Sequence, residues 1–154
     1  MKAVIALSSE QETIDLAKAL LPVLAPSDHI FLTGDLGAGK SAFARALIQA
    51  KMATSGYVED VPSPSFTLVQ TYEFDDFDIW HIDLYRLANA ELDELGLSDA
   101  LEDAVMIVEW PDRLQGAIKP ALSIELSFRE EGGRIANVNW HDNKFTEIVE
   151  GIEK

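Results

Sequence analysis

Gly34–Leu47 reads GDLGAGKSAFARAL, with three glycines inside six residues, then a lysine, a serine and a run of helix formers. Residues Gly34, Asp35, Leu36, Gly37, Ala38, Gly39, Lys40 and Ser41 fill the pattern GxxxxGK[ST] at every position. In such a loop the glycines let successive backbone N–H groups turn inward onto phosphate oxygens. The lysine reaches the β- and γ-phosphates, and the hydroxyl is offered to Mg²⁺. A helix that starts there, with Ala42 in its first turn, points its positive end at the same anion. The flanks fit the pattern. HIFLT (29–33) is apolar and strand-like, and SAFARALIQA (41–50) is helix-forming. The chain is therefore expected to bind ATP or ADP together with Mg²⁺.

Such a site needs an acid close to the ion, usually at the end of an apolar strand. Two stand in that position. Asp83 closes FDIWHID and Glu109 closes AVMIVE. A carboxylate at the exit of a buried parallel strand lies on the rim where α/β sheets bind ligands. The spacing does not choose between the two. Guanine recognition would want an NKxD-type stretch, which the sequence lacks, and the DxxG spelling at 93–96 falls in a helix-forming region. ATP is the expected nucleotide.

Working outward, residues 3–7 (AVIAL) read as a short strand. Ser9 with Glu12 three positions on reads as a capping box, and apolar residues at 14, 16, 17, 20, 21 and 24 follow at helical spacing up to Pro26. Pro62 and Pro64 force extended backbone. The runs 66–74 and 78–84, separated by an acidic turn, predict an antiparallel hairpin. The stretch 88–103 reads as short helices divided at Gly96, and 104–108 (AVMIV) as a buried strand. The segments 121–128 and 134–140, joined by EEGG, predict a second hairpin, and the tail from Asn143 is helix-like. Interleaved helices and strands give an α/β class: a single P-loop NTPase domain over 1–154, with a mixed central sheet flanked by helices.

Of 154 residues, 47% are hydrophobic and 25% charged, and cysteine is absent. That removes thiolate chemistry and disulfides, and fits a reducing, cytoplasmic setting. Neither a signal peptide nor a membrane span is expected. With 12 basic and 27 acidic residues the net charge is −15. A surface this acidic repels a polyphosphate, so direct, independent binding to DNA or RNA is not expected.

The stretches SPSFTLVQTYE, HIDLYRL, ELDELGLSDALED and VEWPDRL, in that order after GDLGAGKS, resemble the bacterial tRNA threonylcarbamoyladenosine biosynthesis ATPase family. The resemblance spans about Glu10 to Arg134. It implies a small ATPase with weak activity alone, working with two partner proteins that carry out the transfer to an adenosine beside the anticodon. Carried over by position, Gly34 to Ser41 would hold the triphosphate, and Ser41 with Glu109 the Mg²⁺. Ser41 replaces the threonine usual there and supplies the same hydroxyl. Ser65 and Thr67 match a switch-like stretch near the γ-phosphate, and Asp83 would orient water or metal. Trp110 matches a tryptophan beside the acid. Glu10 and Thr13 lie where the base is approached, with Gly133 or Arg134 on its far side.

Plainer readings stand beside these. Thr67 reads equally as a strand residue, Trp110 as a core plug and His81 as a packed histidine. The acidic run 91–103 reads as a solvated helix face. Two other functions also fit a P-loop: a small-molecule kinase, which needs a lid of several arginines, and a nucleotide-dependent interaction module without essential hydrolysis. Outside the P-loop helix the arginines are Arg86, Arg113, Arg129 and Arg134, never paired in sequence.

Overall fold

The computed structural model describes residues 1–89 and 91–153. Ala90 and Lys154, which fall within the helical readings of 88–103 and of the tail, lie outside the described residues. Seven strands, β1 (Lys2–Leu7), β2 (Ile30–Thr33), β3 (Val69–Tyr72), β4 (Asp78–Asp83), β5 (Ala104–Glu109), β6 (Leu122–Phe128) and β7 (Arg134–Trp140), form one sheet. Its order is β1-β7-β6-β2-β5-β4-β3. The central strands β6, β2, β5 and β4 are mutually parallel, while β3 and β7 run antiparallel to their neighbours. Both expected hairpins are present, as β3–β4 and β6–β7.

Helices α1 (Glu10–Leu20), α2 (Lys40–Thr54) and α4 (Thr146–Glu153) are accompanied by a single turn, α3 (Leu92–Leu95). The larger core joins Leu16, Leu20, Phe43, Leu47, Phe145 and Val149 of the helices to Ile5, Ile30, Val105, Ile107 and Val138 of the sheet. The opposite face carries a smaller core with Ile82, Leu97, Met106, Val108 and Leu114. Strand β5 contributes to both, Val105 and Ile107 to one and Met106 and Val108 to the other. Burial on both faces is why 104–108 is unbroken apolar sequence instead of an alternation.

Local boundaries differ from expectation where a backbone effect intervenes. Helix α1 stops at Leu20, and Leu21–Val23 is a 3₁₀ turn. The ring of Pro22 would clash with the carbonyl one turn back and removes a donor, so the α-helix cannot run on to Pro26. Ser9 does cap α1, accepting from the Glu12 N–H at 3.3 Å, but the Glu12 carboxylate takes the N–H of Ser8 instead of that of Ser9. Strand β3 begins only at Val69. Residues 64–67 form a turn closed by the Leu68 N–H on the Pro64 carbonyl at 2.7 Å, and Leu68 is left-handed at φ 69°.

His29, 4% exposed, precedes β2 and fixes the neighbouring chain. Its Nδ1 accepts the Met106 N–H at 3.1 Å, so the ring proton is on Nε2, which donates to the Leu101 carbonyl at 2.8 Å. Burial pushes this imidazole below its ordinary value of 6.5, against the upward pulls of the Leu101 carbonyl and Asp28. Below pH 6.5 the unfolded chain thus binds a proton at His29 that the folded chain resists. The folded state must lose stability as pH falls through that range, by at most about 1.4 kcal/mol per pH unit. Melting followed from pH 7 to 5 should show the decline, and His29→Asn, which keeps an acceptor for Met106 but does not titrate, should flatten it. An unchanged slope in that variant would place the effect elsewhere.

Candidate functional site

The loop Gly34–Gly39 leaves the carboxyl end of β2 and enters α2 through Gly39, left-handed at φ 111°. It starts hard against β6. A Cβ on Gly34, whose φ is 138°, would lie 2.3 Å from the Leu126 carbonyl oxygen. Gly34→Ala therefore meets a backbone clash and a strained dihedral together. It should destabilise the fold by about 3 kcal/mol or more, read as a clear drop in melting temperature. A melting temperature equal to the parent's would show that β6 can yield.

Lys40 opens α2 and is 5% exposed. Its Nζ donates to the carbonyls of Gly34 and, at 3.2 Å, Asp35, and sits 4.3 Å from the centre of the Trp110 ring. Burial lowers its pKa, while Glu109, Asp83 and Asp35 pull it back up. Trp110 in turn packs against Tyr85, ring centres 4.9 Å apart. Its backbone is left-handed at φ 60°, an unfavourable conformation for a bulky residue that places the ring beside the lysine. Trp110 is half-buried and faces the cleft, so it is more than a core plug.

The two acids meet at the same point because β4 and β5 are parallel and in register, Asp83 opposite Glu109. Glu109, 2% exposed, accepts from the Ser41 hydroxyl on Oε1 at 3.3 Å and from His81 Nε2 on Oε2 at 2.7 Å. Asp83, 6% exposed, accepts from the Ser65 hydroxyl on Oδ2 at 3.3 Å and from the Tyr85 N–H on Oδ1 at 3.0 Å. Arg86 ties down the same turn, donating to the carbonyls of Ser65 and Phe66 at 2.6 Å each. Ser65 therefore reaches the acids. Thr67, the other residue expected on this stretch, is exposed and does not line the cleft. The turn at Pro64–Leu68 is what separates them.

Two joined hollows lie over the loop. One, of about 330 Å³, is lined by Leu36, Lys40, Ser41, Ser65, Asp83, Glu109 and Trp110, together with Arg45 and Tyr85. The other, of about 350 Å³, is lined by Ser8, Ser9, Glu10, Thr13, Ala38, Gly133 and Arg134. Gly37, Gly39 and Ala42 border both. The structure thus brings Glu10 and Thr13 at the start of α1 together with Gly133 and Arg134 at the start of β7. Arg134 turns its guanidinium toward the loop, donating to the carbonyls of Gly37 and Ala38 at 3.1 Å, and stacks 4.3 Å from the Phe128 ring centre. It braces the back of the loop as well as bordering the hollow. Gly34 and Asp35 sit at the loop's base, where their carbonyls hold Lys40.

Ser8, Ser9, Arg45, Tyr85 and His81 were not anticipated here. The signals were available for three of them. Arg45 lies one helical turn beyond Ser41, Tyr85 follows Asp83 by two residues, and strand alternation sets His81 on the face of Asp83. Far from being only packed, His81 binds the Glu109 carboxylate.

A family profile described as "Threonylcarbamoyl adenosine biosynthesis protein TsaE" matches residues 7–136. The chain is 38% identical over 134 residues to the tRNA threonylcarbamoyladenosine biosynthesis protein TsaE of Rickettsia felis, covering 86% of this chain and 77% of that one. It is 39% identical over 107 residues to the protein of that name from Aquifex aeolicus, covering 70% and 75% of the two chains. Among solved structures, that of YdiB from Bacillus subtilis superposes with a TM-score of 0.75 at 23% identity, covering 99% of this chain and 94% of that one, which shows a shared fold. With the profile spanning most of its length and such identities over most of the relatives, this chain belongs to the TsaE family, whose members serve threonylcarbamoyladenosine biosynthesis in tRNA.

Proposed function

We propose that the chain is a Mg²⁺-dependent, ATP-binding and ATP-hydrolysing accessory subunit. It would be required for threonylcarbamoyladenosine formation beside the tRNA anticodon and would act in the cytoplasm on a transferase complex of two partner proteins. The observation that carries this is the convergence of Lys40, Ser41, Asp83 and Glu109 at the carboxyl ends of β2, β4 and β5, in front of the α2 amino terminus. Loop amides, one ammonium and the helix end favour a polyphosphate. The hollow of about 350 Å³ beside Glu10, Thr13, Gly133 and Arg134 has room for the rest of a nucleotide.

The donors also suit the metal. Ser41 Oγ and Glu109 Oε1 are hard oxygens, and no cluster of three or more His, Asp or Glu suited to metal binding occurs among the described residues. Mg²⁺ held by one or two protein oxygens completes its shell with phosphate and water. When bound it would screen the phosphate charge and so favour attack on the terminal phosphorus. Glu109 and Ser41 would hold it. Asp83, with both oxygens engaged by Ser65 and Tyr85, would instead couple the 64–67 turn to the terminal phosphate and place the attacking water.

Slow turnover alone follows from the arginines. Arg45 leans on the Val61 carbonyl, Arg86 on the 64–67 turn, Arg113 on Asp112, Arg129 on Glu131 and Arg134 on the loop. Each already leans on an acceptor of this chain and, apart from Arg45, none lines the cleft beside Lys40. No arginine therefore stands ready as a finger, a contribution worth about 10³–10⁵ in rate where it exists. The same engagement disfavours a kinase lid. Exposed apolar side chains near the cleft, Leu36 at 64% and Phe66 at 85%, suit a partner that completes the site. Turnover measured with and without the two partners tests the reading. Stimulation by them is expected, together with loss of the tRNA modification on depletion of this protein. Fast hydrolysis in isolation, or full modification after depletion, would refute it.

A further inference from the structure

His81 is 1% exposed at the centre of β4, and its Nε2 lies 2.7 Å from Glu109 Oε2. A carboxylate only accepts, so Nε2 carries a proton and donates it to Oε2. The other nitrogen, Nδ1, is buried and has no hydrogen-bond partner among the described residues. A histidine kept for packing would be better replaced by an apolar side chain, because one of its polar atoms is stranded. Among the described residues the ring's one hydrogen bond is to Glu109.

The opposite oxygen, Oε1, faces the Ser41 hydroxyl at 3.3 Å. Glu109 is thus held from two sides, with Oε2 occupied by the ring and Oε1 turned toward α2 and the loop. Parallel pairing of β4 with β5 makes this possible. His81 lies opposite Ile107, two residues before the Asp83–Glu109 pair, so its ring reaches forward to the carboxylate.

We propose that His81 is a positioning residue that makes Glu109 a one-oxygen ligand and thereby sets the site's preference for Mg²⁺ over Ca²⁺. This rests on the nucleotide-binding reading given above. Mg²⁺ demands a small, near-octahedral shell and accepts single carboxylate oxygens, whereas Ca²⁺ tolerates higher coordination and carboxylates bound through both oxygens. Blocking Oε2 denies the second mode. Groups hydrogen-bonded to a ligating side chain typically contribute about 10–100-fold in metal affinity.

The test is a pair of titrations, Mg²⁺ and Ca²⁺, each following the tightening of a slowly hydrolysed ATP analogue on the full chain. In His81→Leu, which lacks the donor, the Mg²⁺ needed for half-maximal effect should rise by about 10–100-fold while the Ca²⁺ requirement moves less than about threefold. In His81→Gln, whose amide can reach Oε2, both should stay within about threefold of the parent. Equal shifts for the two ions in His81→Leu, no shift at all, or a folded His81→Gln as impaired as His81→Leu would overturn the assignment. Should His81→Leu fail to fold, His81→Asn replaces it. Its amide is one methylene short of Oε2, so it should lose the discrimination that His81→Gln keeps, and equal behaviour of the two amides counts against the proposal. Failure of the underlying reading looks different: the unaltered chain would then show no analogue binding with either ion.

Discussion

Replacing Lys40 by alanine will weaken ATP and ADP binding by about 100-fold or more, with hydrolysis lost alongside. The ammonium sits at the mouth of the loop, 5% exposed, with the carbonyls of Gly34 and Asp35 as its present acceptors. Those are neutral oxygens; phosphate oxygens are charged, and charge-assisted hydrogen bonds are about twice as strong. Two such bonds at about 1.5 kcal/mol each amount to about 100-fold in affinity. Lys40→Met separates the charge from the stem, because methionine preserves most of the apolar bulk beside Trp110. It should bind as poorly as Lys40→Ala. Both variants leave the carboxylates of Glu109 and Asp83 without the neighbouring cation that couples to them, so they should also melt somewhat below the parent. Calorimetry with ADP and ATP in Mg²⁺ decides the matter. Affinity in either variant within about threefold of the parent would mean that the loop amides alone carry the anion and that Lys40 has another task.

The loop was legible because its function is written in consecutive residues, and a local motif needs no knowledge of the fold. Strand β5 was legible for a different reason: Ala104 to Val108 are apolar on both faces, and only a central strand has two faces to bury. What stayed hidden depends on partners distant in sequence. His81 contacts a residue 28 positions away, and nothing in HIDLYRL records which strand lies beside it. Burial of the ring was anticipated; its bond to Glu109 was not. The choice between Ser65 and Thr67 turned on Leu68, whose left-handed φ of 69° folds the segment into a turn that propensity reads as strand. Likewise Arg134 was expected against the bound nucleotide, and its bonds to Gly37 and Ala38 arise because β7 starts behind the loop, a matter of sheet order.

Glu109→Gln should uncouple nucleotide binding from Mg²⁺. Glutamine keeps the shape of the side chain. Its carbonyl can accept from His81 and its amide can donate to the Ser41 hydroxyl, so both present contacts have substitutes. Because Glu109 is 2% exposed, removing its charge removes a desolvation cost but also takes from buried Lys40 a carboxylate that stabilises its ammonium, so the melting temperature should change little. In the absence of divalent ions the carboxylate faces a polyphosphate of the same sign. Neutralising it should therefore tighten ATP binding by several-fold, since like charges a few ångströms apart in a partly buried site repel by about a kcal/mol or more. With Mg²⁺ present the order reverses: the parent gains affinity from the ion, the variant gains little, and hydrolysis falls by about 100-fold or more. Asp83→Asn serves as the contrast. Both Asp83 oxygens already have protein donors, the Ser65 hydroxyl and the Tyr85 N–H. Its carbonyl can still accept from the Tyr85 N–H, but toward Ser65 it offers a neutral N–H donor where a charged acceptor stood. That substitution should therefore loosen the 64–67 turn and slow hydrolysis while leaving the Mg²⁺-dependent gain in ATP affinity nearly intact. If the two variants exchange behaviours, Asp83 is the ion's ligand and Glu109 the anchor. If Glu109→Gln responds to Mg²⁺ as the parent does, neither Glu109 nor the ring that holds it has any part in binding the ion.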